Sequence, residues 1–338
     1  MKHIVHTSER TQFKKCRQMW DFASPNRQAL TPKYEAQALR FGTAVHAGLE
    51  HYYDPVTWPL PDGLGAAMAF TEAYPFIGDE NTSDEDRQAW RDEVQLGIGM
   101  LRHYAQWAKS LDTFTPIGVE TSFELPIDGV FCSCPNDDHD RQVYYAGRID
   151  LILKDEHDNL WLVDHKTAKG FKDTEWLALD DQCGSYLWAA QKVTGKQFKG
   201  IIYNELLKAL PSPPAVLKNG NLSVNKNQNT TLDLFLRSIK EGDYDAAPYL
   251  DVLEHLRAQG NKFFRRTQVS RSQRELEILE KRIATEAQEM VRPDVAIYPT
   301  PGPFNCAYCD FKAPCMGIQD GSEIEFMITD QYKKREVT

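Results

Sequence analysis

One run constrains this chain more than any other: residues 143 to 206 read as strand, turn, strand, helix, strand. Residues 143 to 153 have strand character. The polar stretch Lys154-Asp-Glu-His-Asp-Asn159 turns the chain, and residues 160 to 164 form the next strand, so the two make a hairpin. A helix over residues 174 to 193 follows, then a strand over residues 200 to 206. That order predicts an α/β core in which one crossover helix links strands, a mixed central sheet flanked by helices.

Upstream the pattern is mainly helical. Helices are expected over residues 9 to 21, 34 to 53 (Ala38, Phe41, Val45 and Leu49 near helical spacing) and about 63 to 76. Another runs to about Ser110 and starts with capping-box spacing from Thr82 to Glu85. Residues 117 to 127 alternate as a strand. Downstream, residues 210 to 231 are rich in Pro, Asn and Lys and read as an irregular excursion. Helices are expected over 231 to 240, 249 to 259 and 272 to 291, a short strand over 263 to 269, and a cysteine-bearing loop over 299 to 315. No linker is evident, which predicts one domain: a helical part over 1–115, a core over 116–206, a largely helical insertion over 207–298 and a cysteine-rich segment with tail over 299–338.

The core carries a chemical pattern. Asp150 lies late on the first hairpin strand, in Gly147-Arg-Ile-Asp150, and Asp164 and Lys166 end the second, in Asp164-His165-Lys166. Strand periodicity puts Asp164 and Lys166 on one face. Two carboxylates and an ammonium converging at a sheet edge suit phosphodiester hydrolysis: carboxylates hold Mg²⁺ or Mn²⁺, and a lysine orients water or pairs with phosphate oxygens. His46, on an earlier helix, can complete a metal sphere. Gln182 and Tyr186, four residues apart, share one face of the helix after Lys166.

In this order, His46, Gly147-Arg-Ile-Asp150, Asp164-His-Lys166 and Gln182-Cys-Gly-Ser-Tyr186 resemble the PD-(D/E)XK nuclease superfamily, and within it the RecB-like and CRISPR-adaptation nucleases. The resemblance implies metal ligation by His46, Asp150, Asp164 and the main-chain carbonyl of His165. It implies catalysis by Lys166 and substrate positioning by Gln182 and Tyr186. Glu120 matches a strand glutamate seen in such proteins. The implied activity is a Mg²⁺- or Mn²⁺-dependent DNA exonuclease of recombination, repair or replication, with a helicase or recombinase as possible partner. The other readings are a DNA-binding scaffold without hydrolytic activity and a spacer-acquisition nuclease working with an integrase. Residues 206 to 290 are similar to segments of phage-encoded members, which implies a phage or bacterial source.

Seven cysteines, an odd number, fit metal ligation better than a disulfide scaffold. Cys306, Cys309 and Cys315 fall within ten residues, one ligand short of a tetrahedral zinc or a cubane cluster. Cys16, Cys132, Cys134 and Cys183 are the candidates for the fourth. Cys132 and Cys134, with His139, read as a loop with free thiols, and Cys183 as packed on its helix. The family resemblance selects Cys16 and implies a 4Fe–4S cluster joining the two ends of the chain; structural zinc is the competing reading.

Charge and composition narrow the setting. No run of eighteen apolar residues and no leading apolar segment occur, so a cytosolic location is expected. No phosphate-loop motif occurs, which leaves the chain without an ATP motor. The net charge of −10 argues against broad coating of DNA. Basic residues cluster at Lys14, Lys15 and Arg17, at Lys166, Lys169 and Lys172, and at Arg265, Arg266, Arg271 and Arg274, a set able to line a groove. Phe263-Phe-Arg-Arg266 joins aromatics to cations, a combination suited to stacking bases in single strands.

Overall fold

The chain opens with a strand too short to show periodicity, β1 (His3–His6), followed by α1 (Thr7–Lys15) and α2 (Arg17–Ala23). The helix expected over residues 9 to 21 is two helices because Cys16, between them, is extended at φ −163° and ψ 115°. Next come β2 (Leu30–Pro32), α3 (Gln37–Tyr52), α4 (Leu64–Ala73) and α5 (Asp84–Lys109). Ser83, one residue beyond the expected Thr82, caps α5 by accepting from the Asp86 N–H at 3.1 Å. This computed structural model describes residues 2–58, 63–78, 82–132, 141–171 and 173–335. Cys134, His139 and Lys172 lie outside the described residues.

The core follows as β3 (Thr115–Phe131), β4 (Gln142–Lys154), β5 (Leu160–Ala168), α6 (Asp181–Thr194) and β6 (Phe198–Leu207). The helix expected from residue 174 begins properly only at Asp181. Residues 175–179 form a separate 3-10 turn, and Asp180 then caps α6 by accepting from the Cys183 N–H at 2.8 Å. Beyond β6 lie α7 (Leu232–Glu241), α8 (Leu250–Gln259), β7 (Phe264–Val269) and α9 (Gln273–Met290). Ser272 and Glu275 close a capping box at the start of α9. The cysteine-bearing region is more regular than a loop: α10 (Pro303–Cys306), α11 (Lys312–Asp320), α12 (Glu325–Gln331) and β8 (Tyr332–Lys334).

Six strands form one mixed sheet in the order β1-β4-β5-β6-β7, with β3 on the other edge of β4. The β5–β6 pair, linked through α6, is parallel; the β4–β5 and β6–β7 pairs are antiparallel. The edge of β4 away from β3 is shared. Residues 143–146 pair with β1 and residues 151–154 with β5. Gly147-Arg-Ile-Asp150 therefore lies in the fork where β1 and β5 part, so this stretch of edge is open to a ligand.

Helices cover both faces. On one, α6 and α9 pack with Val143, Tyr145, Ile149 and Ile201 around a core containing Leu187, Trp188 and Ile283. On the other, α3, α4 and α5 pack Phe41, Leu49, Phe70 and Tyr104 against Leu151, Val163 and Leu206. The segment between β6 and β7 has a small core of its own, with Phe235, Tyr249 and Leu256. A fourth cluster joins the two ends of the described chain: Phe22 and Leu30 meet Phe311 and Tyr332, and β2 pairs antiparallel with β8.

Candidate active site and thiol cluster

A cavity of about 1110 Å³ opens at the fork, between α1, α3 and the start of α6. Its lining includes His46, Glu120, Gly147, Asp150, His165, Lys166, Gln182 and Tyr186. The sequence motifs, spread over four elements, thus converge on one space.

Three ligand atoms meet there. His46 Nδ1 lies 3.6 Å from Asp150 Oδ2 and 4.0 Å from Glu120 Oε1. Among the described residues these three side chains are the only group of three or more histidine, cysteine or acidic residues whose ligand atoms all fall within 4.8 Å of one another. Glu120 stands opposite Asp150 because the flanking pairs Val119↔Leu151 and Thr121↔Ile149 fix the register. It adopts φ +44°, a left-handed conformation costly for a non-glycine residue inside a strand. Burial and the Asp150 charge raise its pKa, against the pull of Arg148, whose Nε donates to it at 2.6 Å. In the sequence Glu120 carries little signal; the cross-strand register brings it to His46 and Asp150.

A carboxylate–lysine pair lies beside this group. Asp164 Oδ1 accepts from Lys166 Nζ at 2.8 Å and from Gln182 Nε2 at 3.1 Å, and Lys166 also donates to Gln182 Oε1 at 3.3 Å. Asp164 is 2% exposed, and its second oxygen, Oδ2, is buried without a hydrogen-bond partner. Burial, with the Asp150 charge, raises the Asp164 pKa to about 6 despite Lys166. Burial alone would lower the Lys166 pKa, but the charge and hydrogen bond of Asp164 outweigh it and hold the ammonium above the ordinary lysine value. Asp150 Oδ2 accepts the His165 N–H at 2.7 Å, tying β4 to β5 across the mouth of the fork. Tyr186, on the same face of α6 as Gln182, packs edge-on against Phe123 with ring centroids 5.9 Å apart.

This donor set fits a divalent cation. A buried carboxylate oxygen with no donor is costly unless something positive meets it; hard cations take carboxylate oxygens, and an imidazole can complete the sphere.

The thiols gather at the other end of α1. Cys16, Cys306, Cys309 and Cys315 line one cavity of about 460 Å³, together with Met19, Phe22 and Phe311. All four are free, and burial raises the pKa of Cys309 and Cys315. No three of them lie within 4.8 Å of one another. A tetrahedral zinc with bonds of 2.3 Å would need its sulfurs about 3.8 Å apart. A cubane separates its thiolates by the width of the cluster. Cys132 and Cys183 are buried in the core between the sheet and α6, away from this cavity.

Two sequence expectations fail. Phe263 and Phe264 are 1% and 2% exposed, so they form no stacking surface. Arg265 pairs with Glu205 and Arg266 with buried Asp112, so the cations of that strand serve the interior rather than a groove. Of the basic clusters, Lys15 and Lys166 line the cavity, whereas Lys14 is drawn to Asp181 and Glu286.

A buried carboxylate paired with a half-buried lysine, beside a histidine and two further carboxylates at the open edge of a mixed sheet, suits a metal-dependent hydrolase. The family model of the PD-(D/E)XK nuclease superfamily matches residues 7–316, and the chain belongs to that superfamily of metal-dependent nucleases. The matched span runs from the first residue of α1 into α11 and includes every residue of both clusters. No curated protein matches the chain. No helix of the described residues is long and apolar enough to cross a membrane.

Proposed function

We propose that the protein is a Mg²⁺- or Mn²⁺-dependent DNA exonuclease of the RecB-like kind, acting in recombination, repair or replication. His46, Asp150, Asp164 and the His165 carbonyl would hold the metal, with Glu120 beside them. A bound divalent cation supplies charge for the phosphate oxygens and acidifies a water molecule. Lys166, kept protonated by Asp164, orients that water or donates to a phosphate oxygen. Gln182 fixes Lys166 and Asp164 relative to each other, and Tyr186 offers a hydroxyl on the same helix face. The observation that carries this reading is the unpartnered Asp164 Oδ2, buried beside Lys166 and within electrostatic reach of Asp150 and His46.

The four cysteines would hold a 4Fe–4S cluster that fastens the chain ends. Support comes from the common cavity that all four cysteines line. The cluster supplies cohesion here; the hydrolytic site is built from other residues.

The test is cleavage of 5′- and 3′-labelled single- and double-stranded DNA with each metal. Asp150→Ala and Lys166→Ala are expected to abolish cleavage and leave the circular dichroism unchanged. Retained cleavage in both variants, or DNA binding by the wild type without cleavage in Mn²⁺, overturns the reading. Anaerobically purified protein is expected to be brown and to contain iron; stoichiometric zinc without iron overturns the cluster.

A further inference from the structure

Past Val163, β5 loses its partner on β4, because the fork has opened. Asp164, His165 and Lys166 are then held by β6 on one side only, and by the bond from the His165 N–H to Asp150 on the other. Something must keep this half-supported segment in place, since a shift of about 1 Å in a metal-binding or catalytic group is felt in function.

The His165 side chain points away from the Asp164–Lys166 face, into the opposite core, and is 3% exposed. Its ring stacks on Tyr53, with centroids 5.8 Å apart and planes at 11°, and meets His46 edge-on at 6.0 Å. Asn204, its register partner on β6, is fully buried and donates from Nδ2 to His165 Nδ1 at 2.8 Å. Arg266, the register partner of Asn204 on β7, donates from Nε to Asn204 Oδ1 at 3.3 Å. A polar rung therefore crosses three strands.

The amide and the guanidinium of that rung have further buried partners. Asn204 Nδ2 also donates to Tyr104 Oη at 3.0 Å, using its second hydrogen. Arg266 donates to Tyr53 Oη at 2.8 Å and Tyr104 Oη at 2.9 Å, and pairs with Asp112. Tyr53 donates to Asp112 at 3.1 Å, so the bond between the two tyrosine hydroxyls is donated by Tyr104. The hydrogens thus fall into one consistent arrangement with two ends: through Asn204 they end on His165 Nδ1, and through the two tyrosine hydroxyls they end on Asp112. A buried network with this many mutual partners favours one geometry over several.

We infer that Asn204 and Arg266 are positioning residues for the metal centre: through His165 they fix the backbone that holds Asp150 and carries Asp164, and the ring against which His46 packs. The inference rests on the metal-dependent function proposed above and adds to it the residues that aim the ligands. Outer partners of metal ligands typically contribute about 10–100-fold to metal affinity.

The experiment measures Mn²⁺ binding to the full chain without DNA, by the loss of the free-ion electron paramagnetic resonance signal, alongside thermal unfolding. Asn204→Leu removes the amide at similar volume. His165→Phe keeps the aromatic stack and removes both ring nitrogens, the acceptor Nδ1 among them, which provides the test if Asn204→Leu does not fold. Leu206→Ala, fully buried on the same strand, reports simple loss of packing. Both rung variants are expected to bind Mn²⁺ about 10–100-fold more weakly. Leu206→Ala is expected to melt earlier with binding unchanged. Wild-type affinity in His165→Phe, or equal weakening in Leu206→Ala, overturns the positioning role alone. A wild type that binds no Mn²⁺ overturns the metal-dependent function as well.

Discussion

Cys16→Ser is the most informative perturbation of the thiol cluster. A link between Cys16 and Cys306 closes a loop of 290 residues, and chain-entropy reasoning for a cross-link of that span gives about 5.7 kcal/mol. The full amount will not be lost, because the loop has a second clasp. Phe311 stacks between Phe22 and Tyr332, with centroids at 5.3 and 5.4 Å, and β2 pairs with β8. With that clasp in place the ends stay together, and Cys16→Ser alone should destabilise by only about 2–3 kcal/mol. Tyr332→Ala weakens the other clasp. The double variant opens the loop, so its loss should exceed the sum of the single losses by more than about 1 kcal/mol. Anaerobic guanidinium unfolding measures all four states. Strict additivity would show that the two clasps do not close the same loop; a change under about 0.5 kcal/mol in Cys16→Ser would show that the thiol is not a fastener at all.

Further predictions concern the site and its supports. With the Asp164 pKa raised to about 6, its proton favours the metal-free fold. That contribution to stability is complete below the ordinary carboxylate value and fades as pH rises through about 6. Metal must displace the same proton, so Mn²⁺ affinity should fall about tenfold per pH unit below 6 and level off above; a flat profile from pH 5 to 7 contradicts the buried acid. Arg10, with no exposed side-chain surface, joins α1 to Glu286 on α9 and to Asp181 and Ser185 on α6. Arg10→Met should cost about 3 kcal/mol in urea unfolding, since Lys14 and Arg282 only partly neutralise the carboxylates left behind; a loss below about 1 kcal/mol would show that these two suffice. Glu120→Gln keeps the shape and removes the charge, and should raise the Mn²⁺ needed for half-maximal cleavage about tenfold; an unchanged titration removes Glu120 from the site.

The sequence exposes those parts of the fold that depend on local pattern. The 143–206 run reads correctly as hairpin, crossover helix and strand because each element has its own periodicity and turn chemistry. The order of His46, Asp150, Asp164, Lys166 and Gln182 is likewise local information; His46, Asp150, Lys166 and Gln182 line one cavity, and Asp164 is buried behind it, bonded to Lys166 and Gln182. Features that depend on partners distant in the chain stay hidden. β1 and β8, at four and three residues, acquire strand form only by pairing with β4 and β2. The Cys16 break has no glycine or proline to announce it. Arg265 and Arg266 read as groove cations because the acids that draw them inward, Glu205 and Asp112, are reached only through the β6–β7 register and the helical layer. Asn204 looks like any strand amide until it is seen opposite His165.

The pairing of β2 with β8 joins Leu30 to Lys334. Contacts of such sequence separation form late, and during synthesis the N-terminal part collapses first. All residues of the candidate hydrolytic site lie between 46 and 186 and leave the ribosome well before Tyr332. The terminal clasp is therefore among the last long-range contacts to form, and a chain cut short of β8 keeps every residue of its acidic cleft yet cannot close this strand pairing. Resistance to proteolysis at the N-terminus should then rise in a late, separate phase of refolding.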